Sequence, residues 1–393
     1  MSTHPLIKGM KTVLCVLATW LCHLATAAPA QEDFVPLFNG RDLSGWVNVN
    51  CAPDTWTATN GLIYCTGKPI GELRTIRMYQ NFVLELEWRH LQPKGNAGVF
   101  VWADALTARG QPFIRGIEVQ VLDGREGPTH TSDGDIFPIH GAKMVPVNGR
   151  GGDRAFPTEK RTKPSPEWNH YRVECVDGAI ALAVNGKVVT RGHSASPRKG
   201  YVCLESEGSP IEFRHLRIME LPAKEALAPE HIANPDEGCR PLYTGVDLSG
   251  WQADTEVVNT WKVNDWTINS DGLPDAKPLV SAGEFGDGVF VIDWRWSDAK
   301  QPGDWTALVR LRSRDLKGDL HGAFKPDANP ELKPGQWNRA LFTLRGNQLS
   351  VAVNGRTLVD GLTLAGLPPR GHLSLHPPGG PAQVANLFFR PLD

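Results

Sequence analysis

The chain has 393 residues, with 41 Lys+Arg against 43 Asp+Glu for a formal net charge of −2. That length holds two or three domains, and that balance argues against nucleic acid or an anionic membrane surface as the main partner. Hydrophobic residues make up 41% of the chain, enough for real cores, and 40 Gly, 31 Pro and 13 Trp suit short strands joined by tight turns better than long helices.

Taken in chain order, residues 1–30 read as a signal peptide. Lys8 and Lys11 supply a positive start, residues 12–24 are a mostly apolar run too short to stay in a bilayer, and Ala25-Thr26-Ala27 and Ala28-Pro29-Ala30 offer small-residue cleavage sites. No later run reaches membrane-spanning length. The expectation is an exported protein, periplasmic or extracellular, without a membrane span. Five cysteines follow: Cys51, Cys65, Cys175, Cys203 and Cys239. Export permits disulfides, with Cys51–Cys65 and Cys175–Cys203 as the candidate pairs. An odd number leaves at least one thiol free, and any of the five also suits a small buried apolar position.

Strand signals dominate what comes next. Phe82-Val83-Leu84-Glu85-Leu86-Glu87-Trp88-Arg89 alternates, with Leu84, Leu86 and Trp88 on one face and Glu85, Glu87 and Arg89 on a solvated one. Further strands are predicted over 97–102, 117–122, 171–176, 180–184, 201–205 and 213–219. Asp177-Gly178 and Asn185-Gly186 provide tight hairpin turns, because Asn and Gly tolerate positive φ. After Asp123 the chain reads as a long loop holding His130, Asp133, Asp135 and His140. A basic cluster (Arg150, Arg154, Lys160, Arg161, Lys163) reads as a solvated loop. Residues 222–237 are polar with Ala and Pro and read as a linker with one helical turn. They separate a first domain over 31–221 from a second over 238–393.

The two domains are copies of each other. Gly40-Arg41-Asp42-Leu43-Ser44-Gly45-Trp46 recurs as Gly245-Val246-Asp247-Leu248-Ser249-Gly250-Trp251. Glu87-Trp88-Arg89 recurs as Asp293-Trp294-Arg295, Trp168-Asn169 as Trp337-Asn338, and Ala183-Val184-Asn185-Gly186 as Ala352-Val353-Asn354-Gly355. The copies are unequal: 80 positions separate Trp88 from Trp168 but 43 separate Trp294 from Trp337, so the second lacks about 37 residues from one place. In the first copy that place holds Glu118-Val119-Gln120-Val121-Leu122-Asp123 and the loop after it. Both copies need core strands, so what only the first retains is the better candidate for chemistry.

Six pieces in order carry a resemblance over about 190 residues. They are Leu37-Phe38-Asn39-Gly40-Arg41-Asp42-Leu43-Ser44-Gly45-Trp46, the 82–89 strand, Gly95-Asn96-Ala97-Gly98-Val99-Phe100, Gly116-Ile117-Glu118-Val119-Gln120-Val121-Leu122-Asp123, Glu167-Trp168-Asn169, and Phe213-Arg214-His215-Leu216-Arg217-Ile218. Together they resemble the 3-keto-disaccharide hydrolase domain family, with the second copy a degenerate member. The resemblance implies an all-β chain of two concanavalin A-like jelly-roll sandwiches in tandem, with sugar chemistry on a concave face.

A strand aims residues i and i+2 to one side, so Glu118 and Gln120 share a face while Ile117, Val119 and Val121 point into the core. Glu205 and Glu207 pair in the same way if their strand runs that far. Glu205 aligns with His376 of the second copy and so serves no shared structural need. Glu118, His140 and Glu205 are the candidate catalytic residues, and Gln120, Arg115, Asp123, Glu207 and Asn96 the candidate substrate-binding set, for an oxidised di- or oligosaccharide. The chemistry implied is β-elimination: the 3-keto group acidifies the C2 hydrogen, a base removes it, the glycosidic oxygen leaves C1, and water adds. Glu118 or His140 is cast as base, Glu205 as acid, and Arg115 or a divalent cation as the electrophile at O3. The sequence requires no cofactor. Asp133, Asp135 and His140 are the candidate ligands for a cation, and no His-Glu-x-x-His, EF-hand or Gly-x-Ser-x-Gly motif occurs. A lectin-like module without turnover is the alternative. A conventional glycosidase needs two flanking carboxylates, and Glu118 with Asp123, an odd step apart, point to opposite faces. Nothing in the sequence sets an oligomeric state.

Overall fold

The alternation in the Phe82–His90 strand decides its fate: Leu84, Leu86 and Trp88 are at most 1% exposed and form the floor of the first core. The computed structural model describes residues 1–2, 33–123, 132–224, 226–273, 275–300, 302–324, 332 and 335–392. The expected signal peptide, apart from Met1 and Ser2, and His130 of the predicted loop lie outside the described residues.

Among the described residues the chain forms four antiparallel sheets, two to each copy. In the first copy the larger sheet runs Lys143–Pro146, Lys187–Ser196, Ala179–Val184, Asn169–Val176, Phe82–His90, Ile211–Glu220, Leu62–Cys65, Trp56–Thr59. The smaller sheet runs Trp46–Asn48, Gly71–Thr75, Tyr201–Ser206, Asn96–Ala103, Gly116–Leu122, Ile136–Ile139. Their inner faces meet in one core, in which Ile117, Val119 and Val121 oppose Leu84, Leu86, Tyr171 and Val173. The second copy repeats this plan with an eight-stranded sheet packed on a five-stranded one. The chain is therefore an all-β tandem of two jelly-roll sandwiches.

The repeated motifs have structural causes. In Gly-x-Asp-Leu-Ser-Gly-Trp, the Asp side chain accepts from the Ser amide at 2.9 Å in both copies, Asp42 from Ser44 and Asp247 from Ser249. The Trp indole then donates back to a carbonyl nine residues earlier, Trp46 to Leu37 at 2.9 Å and Trp251 to Leu242 at 2.8 Å. The Trp-Asn and Asn-Gly pairs form one bracket: Asn185 Nδ2 donates to Asn169 Oδ1 at 3.0 Å, and Asn354 Nδ2 to Asn338 Oδ1 at 2.9 Å.

The seven strands predicted over 82–219 are present within two residues of the expected limits. The segment after Asp123 is not all loop, since Ile136–Ile139 and Lys143–Pro146 form strands joined by a His140-Gly141 turn, both residues at positive φ. The second copy keeps a two-residue remnant of the Gly116–Leu122 strand, Arg314–Asp315, which is the edge of that sheet among the described residues. The segment read as a linker carries one 3₁₀ turn, Pro229–His231, and is tied along the first sandwich: Asn234 N donates to Asp104 Oδ1 at 2.8 Å and Arg74 pairs with Asp236 at 2.6 Å.

Neither expected cysteine pair forms. Cys51, Cys65, Cys175, Cys203 and Cys239 are all free thiols, the first four buried. Cys175 is an inward core residue of the larger sheet, whereas Cys203 lies under the apolar cover of the smaller sheet's other face, so their side chains point apart. Burial pushes the Cys65 thiol up to about 11 and those of Cys175 and Cys203 well above the ordinary range. A thiol reagent should therefore leave these buried cysteines unlabelled in the native protein and label them on unfolding, and a reductant should leave the melting temperature unchanged. A disulfide between any two of them in a non-reduced peptide map would contradict this arrangement.

Candidate active site

The smaller sheet of the first sandwich turns its inner face to the core and its outer face to a cavity of about 490 Å³. Strand parity decides which side chains reach it. Glu118, Gln120 and Leu122 alternate with the core residues Ile117, Val119 and Val121 and all line the cavity. Asp123 has the opposite parity and is not part of the lining; it is buried, and its amide donates to Gly95 O at 3.0 Å. Glu205 and Glu207 come from the end of the Tyr201–Ser206 strand, and Asn96 from the start of the Asn96–Ala103 strand. Six of the expected residues thus converge: Glu118, Gln120, Glu205, Glu207, Asn96 and His140.

Gly98 makes the convergence possible. It lies between the two acid-bearing strands, and a Cβ there would stand 2.8 Å from Glu205 Oε2 and 3.1 Å from Glu118 Oε1. Both carboxyls therefore crowd the space that a side chain would fill. Glu118 is 6% and Glu205 1% exposed, and Glu205 Oε2 has no hydrogen-bond partner. Burial, followed by repulsion from Glu207 and Glu72, raises the Glu118 pKa well above the carboxylate range, while Arg154 pulls it down. Burial, followed by repulsion from Glu118, Glu207 and Glu72 and a side-chain hydrogen bond with Glu207, raises that of Glu205 well above the carboxylate range. Gln120 Nε2 donates to Asn96 Oδ1 at 2.7 Å and Asn96 Nδ2 donates to Glu207, which fixes an amide relay along one wall.

Two charged groups were not among the expected set. Glu72 is fully buried beside the cavity acids, its register partner being Glu205. Desolvation pushes its carboxyl up to about 8, despite a 3.3 Å bond from the Ile114 amide. All five residues of its strand are buried, so no alternation announces it. Registering the two copies does, because Pro278 stands where Glu72 does. Arg154, read as one of a solvated basic cluster, lines the cavity instead. It donates to Asp135 Oδ2 at 3.1 Å and lies 3.4 Å over the centre of the Phe137 ring. Among the described residues it is the only Arg or Lys in the lining.

Arg115 lies apart from this cavity. Its guanidinium grips Asp104 at 2.8 and 3.0 Å and lines the cleft between the two sandwiches. His140, on an exposed turn, stands where that cleft and the acid cavity adjoin and lines both. It stacks on Phe113, and partial burial lowers its pKa. The expected cation ligands do not converge. Asp135 is held by Ser132 and Arg154, Asp133 by Thr162 and Lys160, and among the described residues no group of three His, Cys, Asp or Glu is placed to hold a metal ion. These residues do not fit a divalent cation. Glu85 and Glu87 face away from the site, on the outer side of the larger sheet. There Arg172 and Arg217 hold Glu85 and Arg214 holds Glu87, so that face is ion-paired rather than merely solvated.

The chain matches the profile of the 3-keto-alpha-glucoside-1,2-lyase-like domain over residues 33–219 and again over 238–390, and it belongs to that family. That membership makes it a carbohydrate-active protein. Similar solved structures include two putative glycosyl hydrolases from Parabacteroides distasonis. One is 22% identical over 48% of this chain and 94% of its own, with a TM-score of 0.39; the other is 24% identical over 48% and 99%, with a TM-score of 0.36. A third is the carbohydrate binding module CBM66 from Bacillus subtilis, 12% identical over 45% and 96%, with a TM-score of 0.32. No curated protein sequence matches the chain significantly. Among the described residues no helix is long and apolar enough to cross a membrane.

Glu72 carries a pH signature. Between the ordinary carboxylate value of 4.5 and about 8, the unfolded chain has released a proton that the folded chain keeps on Glu72. Its contribution to stability is therefore fullest below 4.5 and declines as pH rises to about 8. Glu72→Gln removes that decline, so its melting temperature relative to wild type should climb steadily from about pH 5 to about pH 8 in a thermal scan. A difference that does not vary with pH would mean that Glu72 is ionised in the folded protein.

Proposed function

We propose that the first sandwich cleaves 3-keto-glycosides by proton abstraction at C2 and loss of the glycosidic oxygen from C1, within an exported protein. The observation that carries this reading is the pair of buried carboxyls, Glu118 and Glu205, crowded over Gly98. Two adjacent buried carboxyls do not both ionise readily, because like charges at close range away from water repel each other. One acid and one base then stand together at neutral pH. Glu118, the member with Arg154 nearby, is the more readily ionised of the two and serves as base. Glu205, raised by burial and by Glu118, Glu207 and Glu72, keeps the proton and serves as acid.

In the step proposed, Glu118 takes the C2 proton and the C–H electron pair becomes the C2–C3 double bond of an enolate. Arg154 is the cation available to the charge developing on O3, the role assigned from sequence to Arg115. The electron pair then returns from O3 to re-form the ketone as the C1–O bond breaks. Glu205 gives its proton to the departing oxygen, and a C1–C2 double bond conjugated with the ketone remains. Water adds at C1 with return of a proton to C2, and the net result is hydrolysis. The Asn96, Gln120 and Glu207 wall suits hydroxyl recognition, and Phe113 and Phe137 offer ring faces. Export rests on the positive start, apolar run and small-residue sites of residues 1–30; N-terminal sequencing of the secreted protein should place the mature start just after Ala27 or Ala30.

Turnover of a 3-keto-glucoside tests the chemistry. Glu118→Gln and Glu205→Gln should each lower kcat by roughly 10²–10⁴-fold while calorimetric binding of the sugar persists. Near wild-type turnover in either variant removes that residue from the mechanism. A wild-type protein that binds sugars yet turns over neither keto nor ordinary glycosides is a lectin-like module instead.

A further inference from the structure

The cavity wall opposite the amide relay is built by the excursion between the Asn96–Ala103 and Gly116–Leu122 strands. Its arms pair through Thr107 and Ile114, and the Ala108 amide donates to Phe113 O at 2.8 Å, which makes residues 107–114 a short hairpin. Gln111 and Phe113 line the acid cavity, Phe113 stacks on His140, and the Ile114 amide reaches Glu72. The wall is thus wired to two titratable groups, His140 and Glu72.

The tip of this hairpin is held by the other sandwich. Gly110 N donates to Asp293 Oδ2 at 2.7 Å. Asn386 Nδ2 donates to Ala108 O at 3.0 Å and Gln111 O at 3.1 Å, and also to Asp293 Oδ2 at 2.8 Å. Arg339 grips Asp293 at 2.7 and 2.8 Å and extends Nη2 to Thr107 O at 2.9 Å. Arg109 donates to Asn354 Oδ1 at 2.6 Å. Gly110 must be glycine: its φ is +67°, and a Cβ would lie 2.0 Å from the Trp337 ring. The first sandwich adds an anchor, Asn50 Nδ2 to Pro112 O at 2.8 Å. Asp293 is 0% exposed, so its charge is compensated wholly by these donors.

We propose that the second sandwich is a positioning element for the acid cavity, with Asp293, Arg339 and Asn386 clamping the 107–113 hairpin so that Gln111, Phe113 and through it His140 keep their places. This rests on the functional reading above, and it gives the shortened copy a task that needs no catalytic group of its own. A buried carboxylate that accepts a backbone amide from another sandwich restrains that backbone through a charge-assisted hydrogen bond. Displacement of a substrate-positioning wall by about 1 Å is enough to cost on the order of 10²-fold in rate.

Two variants attack the clamp from its two sides, Asp293→Asn in the second sandwich and Gly110→Ala in the hairpin. A third, Asp287→Asn, removes a more exposed acid bridge elsewhere in the second sandwich, to Arg312 and the Gly346 amide, without touching the hairpin. Each is assayed as full chain for kcat and KM on a 3-keto-glucoside, for amide hydrogen exchange over residues 105–115, and for melting temperature. The expected result is faster exchange in the hairpin and roughly a tenfold or greater fall in kcat/KM for the two clamp variants. Asp287→Asn should lower the melting temperature while hairpin exchange and kcat/KM stay near wild type. Equal losses of kcat/KM in all three, or unchanged hairpin exchange in Asp293→Asn, would overturn the proposal. If wild type shows no turnover, the catalytic reading fails alone, and the exchange measurement still decides the clamp.

Discussion

Burying carboxyl groups beside one another costs free energy in proportion to how completely water is removed and how little opposite charge is supplied. The first sandwich does this three times, at Glu72, Glu118 and Glu205, with Arg154 alone opposing from the cavity lining among the described residues. The sandwich core offsets that cost. Ile117, Val119 and Val121 sit on the inner side of the very strand whose outer side presents Glu118 and Gln120. The acids are placed by paired strands, Glu118 between Phe100 and Phe137 and Glu205 opposite Glu72. One residue admits the pair: at Gly98 any side chain would occupy the space the two carboxyls use.

The second copy shows what the same frame becomes without that need. Leu308 stands at the register position of Gly98 and is buried, Pro278 replaces Glu72, and His376 replaces Glu205. Burial lowers His376 to about 4, so it stays neutral where the first copy buries an acid. The Gly116–Leu122 strand shrinks to Arg314–Asp315. A large aliphatic side chain in place of glycine removes the space for two carboxyls, and with it the reason to bury them.

The opposite faces of the two sandwiches diverge in the same manner. Glu87 and Asp293 occupy the same place beside paired tryptophans, Trp88 and Trp294. Glu87 meets Arg214 at a partly exposed surface, whereas Asp293 is sealed under the hairpin from the first sandwich. The acid common to both copies is therefore an ion-pair anchor in each, and only the neighbour differs. In the second copy this face is the one that holds the proposed clamp.

The amino-acid order alone determined the strands and the duplication. Period-two alternation, Asn-Gly turns and the Asp-Leu-Ser-Gly-Trp corner act over a few residues, and each forms where its pattern lies. It also marked Glu118, Gln120, Glu205 and Glu207, since parity within a strand assigns a face and comparison of the copies assigns a difference. Parity also set Asp123 on the face opposite Glu118. Arg115, Glu72 and Arg154 were decided by the tertiary structure: Arg115 is claimed by Asp104, 11 residues away. Glu72 arrives across a sheet from a strand buried on both faces, and Arg154 is recruited from a loop by Asp135 and the Phe137 ring. Which charge meets which, and which cysteines stay apart, depends on sheet order and on contacts between distant segments, and local patterning carries no record of either.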